Sequence, residues 1–415
     1  MMEDDSRDDS RRPRPLWRDR DFTVFWSAQT LSVAGDAFAL IAVPLLVLHV
    51  TGSVAQMGLL TGLASAASVG AGVFAGLIVD RLDRRTVMIC CDLARMVLYG
   101  LVPVAWHFGP RIWLLYVVLP VCEAVGMVFQ VAYVTAVPGL VDGDRITEAN
   151  GRLSATAAMT QVAGPPLAGV VAGWWGPTAA ISVNAASFAV SAAGLCLIRF
   201  RRASGARPEP GTAWRELLAG ARFLWRQPVL RALTVLLSFF IFLTLGMTDV
   251  LIYHVKHDLG RPDGSVGLIL GVAAVGTVAG SLLVAPLRRG AGFGTSWMAA
   301  IAVSGTAVAA IGATDSFPIV AVAAAVYMAC VTVAGISSMS LRQQVTPDHL
   351  LGRVTSAFWT IHYSLGPAGA AVLTWGAQRY GVLPVSLLAG VCCLLITLVA
   401  FFTPIRQPHP ELAAE

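Results

Sequence analysis

Long apolar runs separated by short polar segments extend along nearly the whole chain. Each run has about 20 residues or more, the length that a helix needs to cross the roughly 30 Å hydrocarbon layer of a bilayer. The runs have no period of two, which argues against a β-barrel, and in lipid only helices and closed barrels satisfy the backbone hydrogen bonds. We therefore predict an all-α integral membrane protein with twelve transmembrane helices. The predicted helices cover residues 22–50, 54–79, 86–106, 111–137, 152–173, 177–198, 229–254, 265–286, 294–313, 317–340, 353–378 and 382–403.

The longest polar stretch between the apolar runs, at 199–226, divides the predicted helices into two sets of six. The sets resemble each other, because Gly151-Arg152-Leu153 begins the fifth helix and Gly352-Arg353-Val354 begins the eleventh. Two such pseudo-symmetric bundles are typical of secondary transporters, which bind substrate between the halves near the middle of the bilayer. The predicted segments are a tail at 1–20, a bundle at 21–198, a linker at 199–228, a bundle at 229–404 and a tail at 405–415.

Charge is scarce and unevenly placed. Only 13% of the 415 residues are charged, against about 25% in soluble domains. Most basic residues fall in the tails and in alternate loops, which predicts that both termini are cytoplasmic. The net charge of +5 is thereby explained by topology, so we expect no nucleic-acid partner. The seven cysteines all lie inside apolar runs. Their odd number and their spacing favour neither disulfides nor a metal site. Preference for Arg over Lys indicates a bacterial source and therefore a bacterial inner membrane.

A loop between the second and third helices carries a recognisable motif. It reads Gly76-Leu-Ile-Val-Asp80-Arg81-Leu-Asp83-Arg84-Arg85. This loop resembles the signature loop of the major facilitator superfamily at five of six defined positions, with Asp83 in place of a glycine. Shorter segments around Asp36, Asp92 and Glu148 are similar to those of the branch that contains enterobactin exporters and macrolide efflux pumps. The Gly164-Pro165-Pro166 segment resembles part of that family's antiporter motif.

The resemblance implies the major facilitator fold and a latch at the cytoplasmic face. Asp80 would lie against the N-terminal end of the helix near Gly352 and Arg353, since the helix dipole favours negative charge there. Arg84 and Arg85 would bridge to acids across the same face. The alternative is that Arg81, Arg84 and Arg85 only set topology. Asp92 and Arg95, three residues apart, are predicted to pair on one helix face as a structural or gating pair next to this loop.

Ionisable groups inside membrane helices are costly and by default mark a transport pathway. Asp36, Gln29 and Ser32 share one face of the first helix, and Glu123 and Gln130 share one face of the fourth. We predict that these five residues, with His362, line a substrate cavity. Asp36 and Glu123 are the candidates for proton coupling, and a purely structural role is the alternative for each. Asp249 is expected near the outer membrane interface, either in outer gating or simply exposed.

These features predict a secondary active transporter that exports an amphipathic small molecule, such as a drug, antibiotic or siderophore, by rocker-switch alternating access. The resemblance implies proton-driven antiport without a cofactor. The expected partners are the lipid bilayer and the substrate, and we expect a monomer. The alternatives are a proton symporter or uniporter that imports a nutrient, and a non-transporting receptor or scaffold. A membrane enzyme is disfavoured because no nucleophile and base cluster together in the sequence.

Overall fold

The computed structural model describes residues 19–141, 146–198 and 213–410, and within these ranges the chain is helical and contains no strand. Its α-helices are α1 Arg20–Thr51, α2 Val54–Arg81, α3 Arg84–His107, α4 Ile112–Ala136, α5 Ile146–Trp175, α6 Pro177–Leu197, α7 Ala213–Arg226, α8 Pro228–Thr244, α9 Met247–Tyr253, α10 Asp263–Gly312, α11 Phe317–Val345, α12 Asp348–Ser364, α13 Gly366–Tyr380 and α14 Val382–Phe401.

The described helices provide the predicted twelve membrane crossings. Among the described residues, nine helical segments are long and apolar enough to cross a membrane by length and composition. One of them is the stretch Pro228–Asp258, which contains α8 and α9, and another, α10, has 50 residues. Its backbone leaves the helical region at Gly292, where φ is 76°, so α10 turns and supplies two crossings. A positive φ is readily adopted by glycine because it has no Cβ. The less apolar α5 and the interrupted pair α12 and α13 complete the set.

Two helices that were predicted to be continuous are interrupted. The predicted helix at 229–254 is divided into α8 and α9 at Leu245 and Gly246, and the one at 353–378 is divided into α12 and α13 at Leu365. At the second break Gly366 and Pro367 follow, and a proline cannot donate the backbone hydrogen bond that would continue the helix. Both breaks lie well inside a crossing, where they permit local bending.

The linker between the halves contains a helix that the sequence analysis did not predict. Residues 199–212 lie outside the described part, but α7 occupies 213–226 and packs on α12. Leu224 is fully buried there. The polar composition of the linker hid this helix.

The buried side chains form clusters that show how the halves meet. We call the face where α1 begins and α14 ends the terminal face, and the opposite one the distal face. Near the terminal face each half has its own cluster, one formed by residues such as Phe22 and Met88 and the other by residues such as Trp297 and Phe358. Towards the distal face a single cluster takes members from both halves, including Leu46 and Met247. The halves are therefore closed together at the distal face.

Close backbone approach and hydrogen bonds reinforce this distal closure. A Cβ atom built on Gly169 of α5 would lie 2.7 Å from the Cα of Gly267 on α10, so only glycine allows this spacing. Ser53 Oγ at the start of α2 donates a 2.6 Å hydrogen bond to Gln378 Oε1 of α13. His49 Nε2 lies 3.2 Å from Asp263 Oδ1.

Replacing Gly169 by leucine should force α5 away from α10 and open the distal face. In protein that carries Ser53→Cys, we expect Gly169→Leu to raise labelling by a membrane-impermeant maleimide severalfold. Gly173→Leu is the matched control, since a Cβ there would meet its nearest neighbour, Gly264 N, at an ordinary 3.6 Å. Equal labelling of the two variants would show that the Gly169 contact does not hold the distal face closed.

Candidate functional site

A cavity of about 1070 Å³ lies between the halves. It is lined by parts of α1, α2, α3, α4 and α5 of the first half and by residues of α9, α10 and α11 of the second. A volume of this size accommodates a drug-sized ligand. Most of the lining is apolar or aromatic, and the lining aromatic residues are Tyr99, Phe129 and Tyr133.

Five of the six residues predicted to line a substrate cavity do so. Gln29, Ser32 and Asp36 of α1 and Glu123 and Gln130 of α4 all border the space. The helical spacing that placed each set on one face is the reason they meet here, because residues separated by three, four or seven positions share a side of a helix.

The central charged contact of the cavity joins Asp36 to Arg95 of α3. The Arg95 Nη2 atom donates a 2.8 Å hydrogen bond to Asp36 Oδ1. The guanidinium carbon also lies 4.0 Å from the centre of the Phe188 ring, which holds the cation from the other side. The Arg95 side chain is only 10% exposed, whereas that of Asp36 is 43% exposed and borders the cavity. The pair is thus anchored in protein at its basic end and accessible from the cavity at its acidic end.

The predicted pairing of Asp92 with Arg95 is wrong. Asp92 is fully buried beside Ser191 of α6, and neither of its carboxylate oxygens has hydrogen-bond geometry with a described group. Spacing of three residues places two side chains on the same side of a helix, yet Arg95 extends to Asp36 on α1 instead.

Gln29 extends the polar contacts between α1 and α6. Its Nε2 atom donates a 3.1 Å hydrogen bond to Ser191 Oγ, the hydroxyl beside Asp92. Ser32, one turn along α1, is also buried. Polar side chains therefore run from the cavity wall into the first half behind Asp36.

Glu123 is a second acid within electrostatic range of Arg95. Among the described residues that line the cavity, the charged ones are Asp36, Glu123 and Arg95. When all three are ionised the cavity carries one net negative charge, and the addition of one proton or one monovalent cation neutralises it. This balance is the main electrostatic property of the site.

His362 does not line the cavity, so that prediction is wrong. It is buried in the second half, with its ring 5.3 Å from that of Phe358 and nearly parallel to it. The guanidinium carbon of Arg342 lies 3.5 Å from the centre of the Phe358 ring. The side of α12 that carries His362 packs into the interior of the second half. The sequence of a single helix does not determine how that helix is rotated against its neighbours.

Asp249 is buried and lies beside Thr61 of α2, so the expectation of simple exposure at the interface is wrong. Because α9 and α2 belong to different halves, this carboxylate lies at the contact between them. A role in outer gating stays a prediction.

Asp83 and Arg85 of the signature loop make hydrogen bonds at helix ends. Asp83 begins α3, and its Oδ2 atom accepts 3.0 Å hydrogen bonds from the Thr86 backbone N–H and from the Thr86 hydroxyl. An acid that caps a helix N-terminus in this way explains how the chain tolerates Asp83 where the family motif has a glycine. Arg85 donates to the backbone carbonyls of Leu195 and Cys196 and so fixes the end of α6.

The predicted latch falls on residues whose side chains lie outside the described part of the structure. This applies to Gly76, Asp80 and Gly352, although the backbone places them in α2 and α12. Arg81 is exposed, and Arg84 and Arg353 are partly buried. The latch therefore stays a prediction.

A helical membrane protein with a charged cavity between two groups of helices has the construction of a secondary transporter. Residues 25–370 match the Major Facilitator Superfamily. The chain belongs to this family, and it is a transporter and not an enzyme, as the sequence predicted.

Relatives and solved structures agree with this assignment. The chain is 27% identical to the multidrug efflux pump Tap of Mycolicibacterium fortuitum, over 92% of this chain and 95% of the relative. It is 22% identical to macrolide efflux protein A of Streptococcus pyogenes over the same shares. Among solved structures, the nucleoside transporter NupG superposes with a TM-score of 0.75 at 11% identity, covering 92% of this chain and 98% of that one. An inward-facing bacterial homologue of the lysosomal transporter Spinster gives 0.72 at 14% identity, covering 96% and 98%.

The assignment fixes the surroundings of the protein. A transporter with many membrane spans and bacterial efflux pumps as relatives belongs in the bacterial inner membrane, with a lipid bilayer around it and a small molecule as its substrate. Large exposed apolar side chains such as Phe74, Leu282 and Leu388 then face lipid.

The contact between Asp36 and Arg95 predicts how the stability of the protein changes when either residue or both are replaced. Asp36→Asn should lower the free energy of unfolding in detergent by about 1–2 kcal/mol, because it removes the carboxylate that is hydrogen-bonded to a buried guanidinium. This is less than the about 3–5 kcal/mol typical of fully buried pairs, since Asp36 is partly exposed. Combining it with Arg95→Met should restore most of the loss.

Thermal or denaturant unfolding of the two single variants and the double variant measures this coupling. Asp315→Asn, at an exposed position, serves as the control and should change stability little. A double variant whose loss of stability equals the sum of the two single losses would show that the contact contributes no coupling.

Proposed function

We propose that the protein exports a cationic amphipathic small molecule from the cytoplasm in exchange for protons. The observation that carries this proposal is the position of Asp36, which borders the cavity while its partner Arg95 is anchored in the protein. A carboxylate in this position is accessible to a proton and to a substrate. When neither is bound, it is paired with Arg95.

The charge balance of the cavity accounts for exchange. Two acids and one base leave room for one positive charge, so a proton and a cationic substrate neutralise the same site and compete for it. Substrate binding displaces the proton, and proton binding displaces the substrate. Competition of this kind gives antiport without any further contact between the two ligands.

Glu123 has a separate part in this mechanism. When Asp36 binds a proton, Arg95 loses its hydrogen-bonded partner, and Glu123 becomes the acid that compensates the guanidinium. When Asp36 is ionised and paired with Arg95, Glu123 is available to a cationic substrate. The apolar and aromatic lining, which includes Tyr99 and Phe129, would bind the hydrophobic part of that molecule.

The distal closure supports alternating access. The basic tails and loops favour a cytoplasmic terminal face, so the state described here is closed towards the outside. For the cavity to open to the outside, the two halves must separate at the shared distal cluster. At the same time the two terminal clusters must come together. The segment Gly164-Pro165-Pro166, which resembles part of the antiporter motif, lies in α5 next to its contact with α10, where this movement must occur.

The pH gradient supplies the energy for this exchange. One proton exchanged for one monovalent cation moves no net charge across the membrane, so the membrane potential does not contribute. Each unit of pH difference is worth about 1.4 kcal/mol per proton and sustains about a tenfold gradient of the substrate. Because the cavity is complete within one chain, we propose that the monomer transports.

Asp36→Asn should abolish transport that is driven by a pH gradient, because asparagine cannot bind and release a proton at the site. The measurement is flux of a panel of cationic amphipathic dyes and antibiotics into proteoliposomes with an imposed pH gradient. Asp315→Asn is the matched control, since it removes an exposed acid and should leave flux unchanged. Gradient-driven flux that persists in Asp36→Asn would remove this residue from proton coupling.

The direction of transport has its own test. Inverted membrane vesicles energised by respiration should accumulate the same dyes, because their cytoplasmic side faces the medium. Right-side-out vesicles should not accumulate them. The opposite result would favour an importer that couples proton and substrate entry.

A further inference from the structure

The linker helix α7 presents an exposed face whose chemistry matches a lipid surface. Leu218, Arg222, Trp225 and Arg226 are all exposed, with Leu218 at 62% and Trp225 at 48%. Their spacing of four, seven and eight residues places them on one side of the helix. We propose that this side, here called the linker stripe, binds anionic phospholipid headgroups at the terminal face of the bilayer.

The opposite side of α7 fixes how the linker stripe is oriented. Leu224 is fully buried in the terminal cluster of the second half. A Cβ atom built on Gly220 would collide with the backbone of Arg353 and lie 2.8 Å from Val354 N. Glycine thus lets α7 press directly on the backbone of α12. With that side held against the protein, the linker stripe faces away from it.

The position of α7 in the chain places the stripe beside the bilayer. The helix ends at Arg226, and α8, which enters the membrane, begins at Pro228. Val229 and Leu230, the first buried residues of α8, follow Trp225 by about one helical turn, roughly 6 Å. The linker stripe therefore lies next to the point where α8 enters the membrane.

The composition of the stripe selects an anionic lipid in preference to a neutral one. Trp and Leu supply the apolar contact that holds a helix in the interfacial layer, and tryptophan is enriched at that depth. Two arginines next to them add attraction to negatively charged headgroups, about fivefold in binding per basic residue. An apolar stripe without arginines would enter neutral and anionic bilayers equally.

This contact has a mechanical consequence that goes beyond the proposed transport. The backbone that α7 presses on, Arg353 and Val354, follows Gly352 directly, at the start of α12. A helix held to the bilayer on one side and to α12 on the other restrains that segment. The charge of the lipid surface would thereby influence how readily the terminal face changes between its open and closed forms.

The test measures lipid contact of Trp225 in the full-length protein and needs no substrate, so its outcome is independent of the proposed transport. The protein is reconstituted in phosphatidylcholine vesicles with a fixed fraction of brominated lipid, which quenches nearby tryptophan. The Trp225 signal is the difference between wild type and Trp225→Phe. Brominated phosphatidylglycerol should quench this signal more strongly than the same fraction of brominated phosphatidylcholine.

Charge variants then locate the source of the preference. Arg222→Gln with Arg226→Gln should abolish the difference between the two brominated lipids. The matched control, Arg20→Gln with Arg289→Gln, removes the same charge from exposed positions elsewhere and should retain it. Equal quenching by both lipids in the wild type, absence of Trp225 quenching, or equal loss in the control would each overturn the proposal.

Discussion

The arrangement of the first half depends on one constraint: the guanidinium of Arg95, buried between membrane helices, keeps its charge and is stabilised by a compensating acid. Arg95 meets this requirement through Asp36 on one side and the Phe188 ring on the other. Since α1, α3 and α6 each contribute to this contact, their relative positions are tied to it. The acid that compensates Arg95 is also the one that the cavity exposes, so any ligand that reaches Asp36 changes the charge balance of three helices at once.

The second half lacks an equivalent centre among its described residues. Asp249 lies 15 residues before Gly264-Ser265-Val266, as Asp36 lies 16 residues before Gly52-Ser53-Val54. Asp249 nevertheless lies against Thr61 at the contact between the halves and does not line the cavity. The buried guanidinium of this half belongs to Arg342, which stacks on Phe358 near the terminal side. The two halves therefore share a fold, but the charged residues of the cavity lie in the first half. The second half contributes mostly apolar lining, through residues such as Leu270 and Met328.

What could be predicted from the sequence follows from what a single helix determines. Apolar runs located the crossings, and spacing along α1 and α4 identified five cavity residues, because position on a helix face is a local property. The partner of Arg95 and the site of His362 were missed, since they depend on how each helix is rotated against its neighbours. The α7 helix was missed for another reason: its buried positions, such as Gly220 and Leu224, are few within a polar segment, and small residues give little hydrophobic signal.

The distribution of buried clusters explains why a change of access is feasible at all. Separating the halves at the distal face exposes the apolar surface of the shared cluster, at a cost that grows with its area. The same rotation brings the two terminal clusters together and buries apolar surface there, which offsets much of that cost. When these two free energies nearly cancel, the free-energy difference between the inward-open and outward-open states is small compared with either of them. A single charge gained or lost at Asp36 is then sufficient to decide which state is more stable, and the cavity chemistry can direct a movement of the whole protein.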